Sequence, residues 1–159
     1  MTMPISGKTK VKKGTCFATS VRKASRRLTQ LYDDALAPSG LRSTQCSILS
    51  ELASRSESPT LSELAEAMVS DRSSLGHTLR PLVRDGYVAL RRGESDRRTQ
   101  RVVLTNRGRK KFREGRKHWQ TAQKTIVSLY GAKWSENLRA IVLTIAHDDR
   151  LGALMEDAA

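Results

Sequence analysis

The stretch from Thr60 to Gly108 constrains the fold of this chain more than any other. Thr60-Leu61-Ser62-Glu63 has the pattern of a capping box, in which a threonine hydroxyl and a glutamate carboxylate satisfy each other's unbonded amides at a helix start. Leu61, Leu64, Ala65 and Met68 then give a short helix one apolar side. Asp71 is placed to cap a second helix by accepting from the amide of Ser73 or Ser74. On that helix Leu75, Leu79, Leu82 and Val83 form one stripe, and Ser73, His77, Arg80 and Arg84 form the opposite face. Pro81 lies close enough to the helix end to be tolerated, and Gly86 suits a left-handed terminus. Val88 and Leu90 alternate with polar neighbours, as do Val102 and Leu104 on the return, while the intervening RRGESDRRTQ is too polar for a core. The pattern predicts two helices joined by a turn, then a short hairpin with an arginine-rich tip.

The flanking segments read as helices. From Cys16 to about Ala37, the residues Phe17, Val21, Ala24, Leu28, Leu31 and Ala35 recur at helical spacing, and Pro38-Ser39-Gly40 ends the run. A helix over Ser43 to Ser54, with Ser43 as its expected N-cap, turns Ile48, Leu49 and Leu52 inward and places Cys46 in the core. Thr105 is set to cap a long helix reaching about Tyr130, along which Phe112, Trp119, Ala122, Ile126, Leu129 and Tyr130 keep a helical repeat. Such a helix spans about 37 Å and needs a surface beyond its own domain to lie against. A last helix carries Trp134, Leu138, Ile141, Val142 and Ile145. The expected fold is mainly α with a small β-wing. Residues 1–15 read as a flexible basic arm, and 16–159 as a single domain. Within it, 43–108 form a winged helix-turn-helix lobe, and 16–37 and 109–157 are dimerisation helices.

The net charge is +13, and its distribution is informative. Residues 1–30 carry eight Lys or Arg and no acid, and residues 101–117 sum to +7, whereas residues 31–70 sum to −4. Positive charge gathered at the N-terminus and around the hairpin, on an otherwise ordinary chain, implies a polyanion-binding face. Coincidence of that charge with a helix-turn-helix and a basic hairpin points to double-stranded DNA, with one helix in the major groove and the hairpin at the neighbouring minor groove or phosphates. Neither an apolar run of spanning length nor a signal-peptide core is visible, so a soluble, cytoplasmic protein without a membrane partner is expected. No Ser-His-Asp order, metal-ligand spacing or phosphate-binding glycine loop appears, which predicts no enzymatic activity, no metal and no cofactor.

Candidate contacts follow from residue type. Ser73 and His77, with Ser74 on the flank, lie near the start of the second helix of the motif, where short polar groups reach base edges. Arg72, Arg80 and Arg84 suit phosphates, which set register rather than sequence preference. Arg97 is expected to enter a narrow minor groove at the hairpin tip. Asp96 and Arg98 are expected to pair and stiffen that tip. Cys16 stands at a helix start with Lys12, Lys13 and Arg22 nearby in sequence, features that favour a thiolate, and a small, partly buried cysteine is the plainer alternative. Trp119, Tyr130 and Trp134 read either as dimer core or as walls of an aromatic-ligand pocket.

The order of elements resembles the MarR family of winged-helix transcriptional regulators. LSELAEAMVSDRSSLGHTLRPLVRDGYV and DRRTQRVVLTNRG carry the resemblance, with Asp96, Arg98, Val102, Leu104, Thr105 and Gly108 matching the family's wing pattern; GLRSTQCSILSELA is similar to its second helix. The resemblance covers about residues 16–147. It implies a homodimer whose first and last two helices interleave on a pseudo-palindromic operator, acting as a repressor, with Arg98 facing DNA. It also implies release by a small aromatic or lipophilic effector. One branch of the family responds instead to oxidation of a cysteine where Cys16 stands, although the tyrosine that supports such a cysteine is missing near Ser43. A winged-helix module that binds nucleic acid without sequence preference is the third expectation.

Overall fold

A computed structural model describes Gly14 and residues 16–92 and 99–151. Among the described residues the chain divides into two compact units, one ending at Ala122 and one beginning at Gln123. The basic arm expected over 1–15 falls, apart from Gly14, outside the described residues.

The larger unit opens with α1 (Phe17–Leu36), followed by a 3-10 turn over Ala37–Ser39, α2 (Ser43–Ser54), α3 (Leu61–Ala67) and α4 (Arg72–Arg84). Strands β1 (Val88–Arg92) and β2 (Gln100–Leu104) pair antiparallel, with Val88 opposite Leu104 and Leu90 opposite Val102. The first part of α5 (Asn106–Tyr130) completes the unit. The core gathers one apolar stripe from each element: Ile48, Leu49 and Leu52 of α2, Leu64 and Ala65 of α3, Leu75, Leu79 and Leu82 of α4, and Val88, Val102 and Leu104 of the strands. Leu41, which the helical pattern does not mark, joins them. Phe112 of α5 packs against this cluster.

Two helix starts follow the expected chemistry. The Thr60 amide donates to Glu63 Oε2 at 2.7 Å, and the Glu63 amide donates to Thr60 Oγ1 at 3.1 Å. At α4, the Ser74 amide and hydroxyl donate to the two Asp71 carboxylate oxygens at 2.8 and 2.7 Å. The start of α2 departs from expectation. Arg42, not Ser43, is the N-cap, and its own amide donates to the Gln45 side chain at 2.9 Å. The Ser43 amide donates to Asp33 of α1 at 2.7 Å. A carboxylate ten residues upstream thus replaces the local hydroxyl, because an ionised acceptor bonds the exposed amides at a helix start more strongly.

Helices α3 and α4 end in the same way. Ser70 N–H donates to Ala65 O and Val69 N–H to Glu66 O; likewise Tyr87 N–H donates to Leu82 O and Gly86 N–H to Val83 O. The left-handed residue is Gly86 (φ 71°) at α4 but Val69 (φ 48°) at α3, where a β-branched side chain is strained. Thr60 forms an isolated bridge with Arg101, Val102 N–H donates to Pro59 O at 2.8 Å, and Arg101 Nη1 donates to Ser58 O at 2.6 Å. These bonds tie the approach to α3 onto β2, and so fix the hairpin against the helix-turn-helix.

Thr105 links the hairpin to α5. Its hydroxyl donates to Gly86 O at 2.7 Å and accepts from the Gly108 amide at 2.9 Å. A Cβ on Gly108 would collide with the Tyr87 carbonyl oxygen, so only glycine lets α5 pass this close.

In the smaller unit, Gly131 (φ 85°) turns the end of α5 into α6 (Ala132–Ala146). Tyr130 and Trp134 stack with ring centroids 4.5 Å apart, and buried Ser135 donates to Gly131 O at 2.8 Å. Ile141, Val142, Leu143 and Ile145 of α6 are exposed.

Candidate nucleic-acid interface

The buried stripe of α4 turns its opposite face outward. Arg72, Ser73, Gly76, His77, Arg80 and Arg84 line an open cleft of about 550 Å³, whose remaining wall is Leu61, Leu79, Val83, Leu90 and Gln100. Five residues marked in the sequence therefore share one surface. Gly76 and Gln100, which the sequence reading did not single out, complete it together with Leu90, marked there only as a strand residue. For Gly76 a signal existed, because a glycine in a helix interior costs about 1 kcal/mol relative to alanine and calls for a reason.

The cleft is cationic. Arg72 and Arg80 are exposed and form no salt bridge with a carboxylate among the described residues. Arg84 donates through Nε to Asp85 Oδ1 at 2.8 Å. That pair raises the Arg84 pKa and holds the Asp85 carboxyl below the ordinary range. Ser74 lies on the flank with its hydroxyl committed to Asp71. The Ser74 amide and hydroxyl hold the Asp71 carboxyl below the ordinary range, so it stays ionised as a cap. The expected tip contacts, Arg97, Arg98 and the Asp96–Arg98 pair, lie outside the described residues.

A second cavity of about 610 Å³ opens between α2 and α5. Its wall includes Cys46, Ser50, Met68, Phe112, Arg116 and Trp119. Trp119 also stacks on Tyr32 of α1 with centroids 6.5 Å apart. The two thiols differ sharply. Cys16 is exposed at the start of α1, where the Thr19 amide, the Thr19 hydroxyl and the Ala18 amide pull its pKa below the ordinary value. Cys46 is buried, and burial pushes its thiol up. In the single chain Cys16 is exposed rather than partly buried.

Comparison with known proteins places this geometry. The sequence profile of the MarR family matches residues 41–99. The M. tuberculosis transcriptional regulator MosR, solved in complex with DNA, is 33% identical and aligns over 90% of this chain and 98% of that one at a TM-score of 0.72. The chain belongs to the MarR family. It is therefore a member of a family of transcriptional regulators rather than of enzymes. CouR from Rhodococcus jostii RHA1, solved with p-coumaroyl-CoA, shares the MarR fold at 17% identity and a TM-score of 0.74, covering 87% of this chain and 97% of that one. The S. aureus MepR–DNA complex does so at 21% identity and a TM-score of 0.71, covering 82% and 96%. No individual curated protein matches the sequence. Among the described residues, no helix is long and apolar enough to cross a membrane.

Proposed function

We propose that this MarR-family chain is a homodimeric, sequence-specific repressor that binds a pseudo-palindromic operator in double-stranded DNA. The carrying observation is the cationic cleft on α4. Ser73 and His77, on the exposed face of α4 toward its N-terminal end, enter the major groove and read base edges, while Arg72, Arg80 and Arg84 hold phosphates. Arg97 and Arg98 of the wing tip extend the grip to the adjacent minor groove or backbone. Residues 43–108 act as the DNA lobe, and 16–37 and 109–157 supply the dimer contact. Exposed Phe17 and Val21 of α1, and exposed Ile141, Val142 and Ile145 of α6, are apolar faces that a second copy would cover.

An aromatic or lipophilic effector releases the operator by occupying the cavity between α2 and α5, where Phe112 and Trp119 offer ring faces and Arg116 a counter-ion for an acid. The structure of CouR with p-coumaroyl-CoA supports a ligand-responsive reading of the fold. Exposed Cys16, with its lowered pKa, favours a second reading in which a peroxide oxidises that thiolate and releases DNA.

Selection of bound duplexes from a random pool tests the main reading. A two-fold symmetric consensus with half-sites about 10 base pairs apart is expected. Enrichment of no sequence would refute it and leave non-specific nucleic-acid binding. Treating the operator complex with an organic hydroperoxide separates the two release routes, since Cys16→Ser abolishes release only if the thiol is the switch.

A further inference from the structure

Helix α1 divides into two faces of opposite chemistry. Phe17, Val21, Ala24, Leu28, Leu31 and Ala35 share one side, and Arg22, Lys23, Arg26, Arg27 and Gln30 share the other. Lys23, Arg26, Arg27 and Gln30 alone line a shallow cleft of about 460 Å³. All four are exposed, and none of the three cations forms a salt bridge with a carboxylate among the described residues.

The local sequence works against this arrangement. Arg22 and Arg26, and Lys23 and Arg27, are like charges four residues apart, and Lys23 and Arg26 are three apart. Residues three or four positions from Lys23, Arg26 and Arg27 include no acid. The helix thus carries repulsion along one ridge that no carboxylate among the described residues relieves. The sequence before it, 1–15, adds four lysines and no acid.

We propose that the outer ridge of α1 is a second nucleic-acid surface, separate from the α4 cleft, that takes the phosphate backbone of duplex DNA without reading sequence. From Arg22 to Gln30 the ridge rises about 12 Å, and a duplex offers a phosphate about every 3.4 Å per strand along its axis. The ridge contains no apolar residue, which suits a phosphate backbone and not a protein interface, whose centre is apolar. A membrane surface would instead draw in the apolar face of α1, which points the other way. This inference stands apart from the operator reading, because the ridge shares no residue with α4.

Full-length protein and the triple variant Lys23→Gln/Arg26→Gln/Arg27→Gln are titrated with a random-sequence 24-base-pair duplex over a range of salt concentrations. The variant is expected to lose at least tenfold in affinity at low salt, and the negative slope of log K against log salt should become shallower by about 2.7. Its melting temperature should hold or rise, because the substitutions remove repulsion. Melting is the control that separates function from structure. A wild-type slope in the triple variant overturns the proposal, as does lost affinity accompanied by a lowered melting temperature. Vesicles containing anionic phospholipid form the other arm, and loss of vesicle binding with an unchanged duplex slope also overturns it. Arg72→Gln/Arg80→Gln run beside the triple variant distinguishes failure of the α4 reading, since the α1 effect is read without it.

Discussion

Replacement of Gly76 by alanine should pull stability and DNA affinity in opposite directions. Gly76 lies in the interior of α4, and a Cβ built there meets no atom within 4 Å. The substitution therefore brings no clash, and the gain in helix propensity of about 0.8–1.0 kcal/mol should appear nearly undiminished. For a chain of this length that corresponds to a rise in melting temperature of about 2–4 °C. The same methyl projects into the cleft between Ser73 and Arg80, on the face proposed to enter the groove. Glycine there permits close approach of the helix backbone to a ligand. Displacing the duplex enough to lengthen one or two charge-assisted hydrogen bonds should weaken operator binding about tenfold, or about 1.4 kcal/mol. Calorimetric melting of the protein alone and fluorescence anisotropy on the selected operator read the two effects separately. A higher melting temperature with unchanged affinity would refute the placement of Gly76 at the DNA. An unchanged or lower melting temperature would refute the assignment of open space above it.

Other outcomes follow from the packing and the titrating groups. Gly108→Ala should destabilise the protein by more than 3 kcal/mol, because its Cβ would strike the Tyr87 carbonyl and approach Leu104 Cδ1 to 2.7 Å; denaturant unfolding with a loss below 1 kcal/mol would contradict the close passage of α5. Native-state alkylation should modify Cys16 well before Cys46, and mass spectrometry of the first adduct showing Cys46 would overturn the exposure assigned to each thiol. Stability should fall as the solution is acidified below about pH 4. Hydrogen bonds from Thr60 depress the Glu63 pKa, and those from Ser74 depress that of Asp71. At Asp33, burial raises the pKa, but Ser43 and Arg42 together pull it further down. A depressed folded pKa contributes stability that is complete above the unfolded value and is lost as pH falls through the folded one. Acid unfolding of Asp33→Asn that keeps the wild-type profile would show that the cap on α2 plays no part in it.

The amino-acid sequence by itself determined the features whose causes lie within a few residues. The Thr60–Glu63 box, the Asp71 cap, the Gly86 terminus and the opposed faces of α4 were all legible, because side chains three or four positions apart on a helix are neighbours whatever surrounds them. Strand pairing was legible from alternation at Val88, Leu90, Val102 and Leu104, although Leu90 turned out to wall the cleft rather than enter the core. Tertiary structure alone decided the contacts made across long loops. Asp33 reaches the start of α2, Arg101 reaches Ser58 over 43 positions, and Gly108 lies under the Tyr87 carbonyl. Such partners depend on how whole elements pack, and no local spacing encodes them. The same holds for Val69, whose strained φ persists because the turn between α3 and α4 is held by the packing of both helices. Membership of the α4 cleft likewise needed the fold: helical spacing identified its cations, but only the hairpin brought Leu90 and Gln100 beside them.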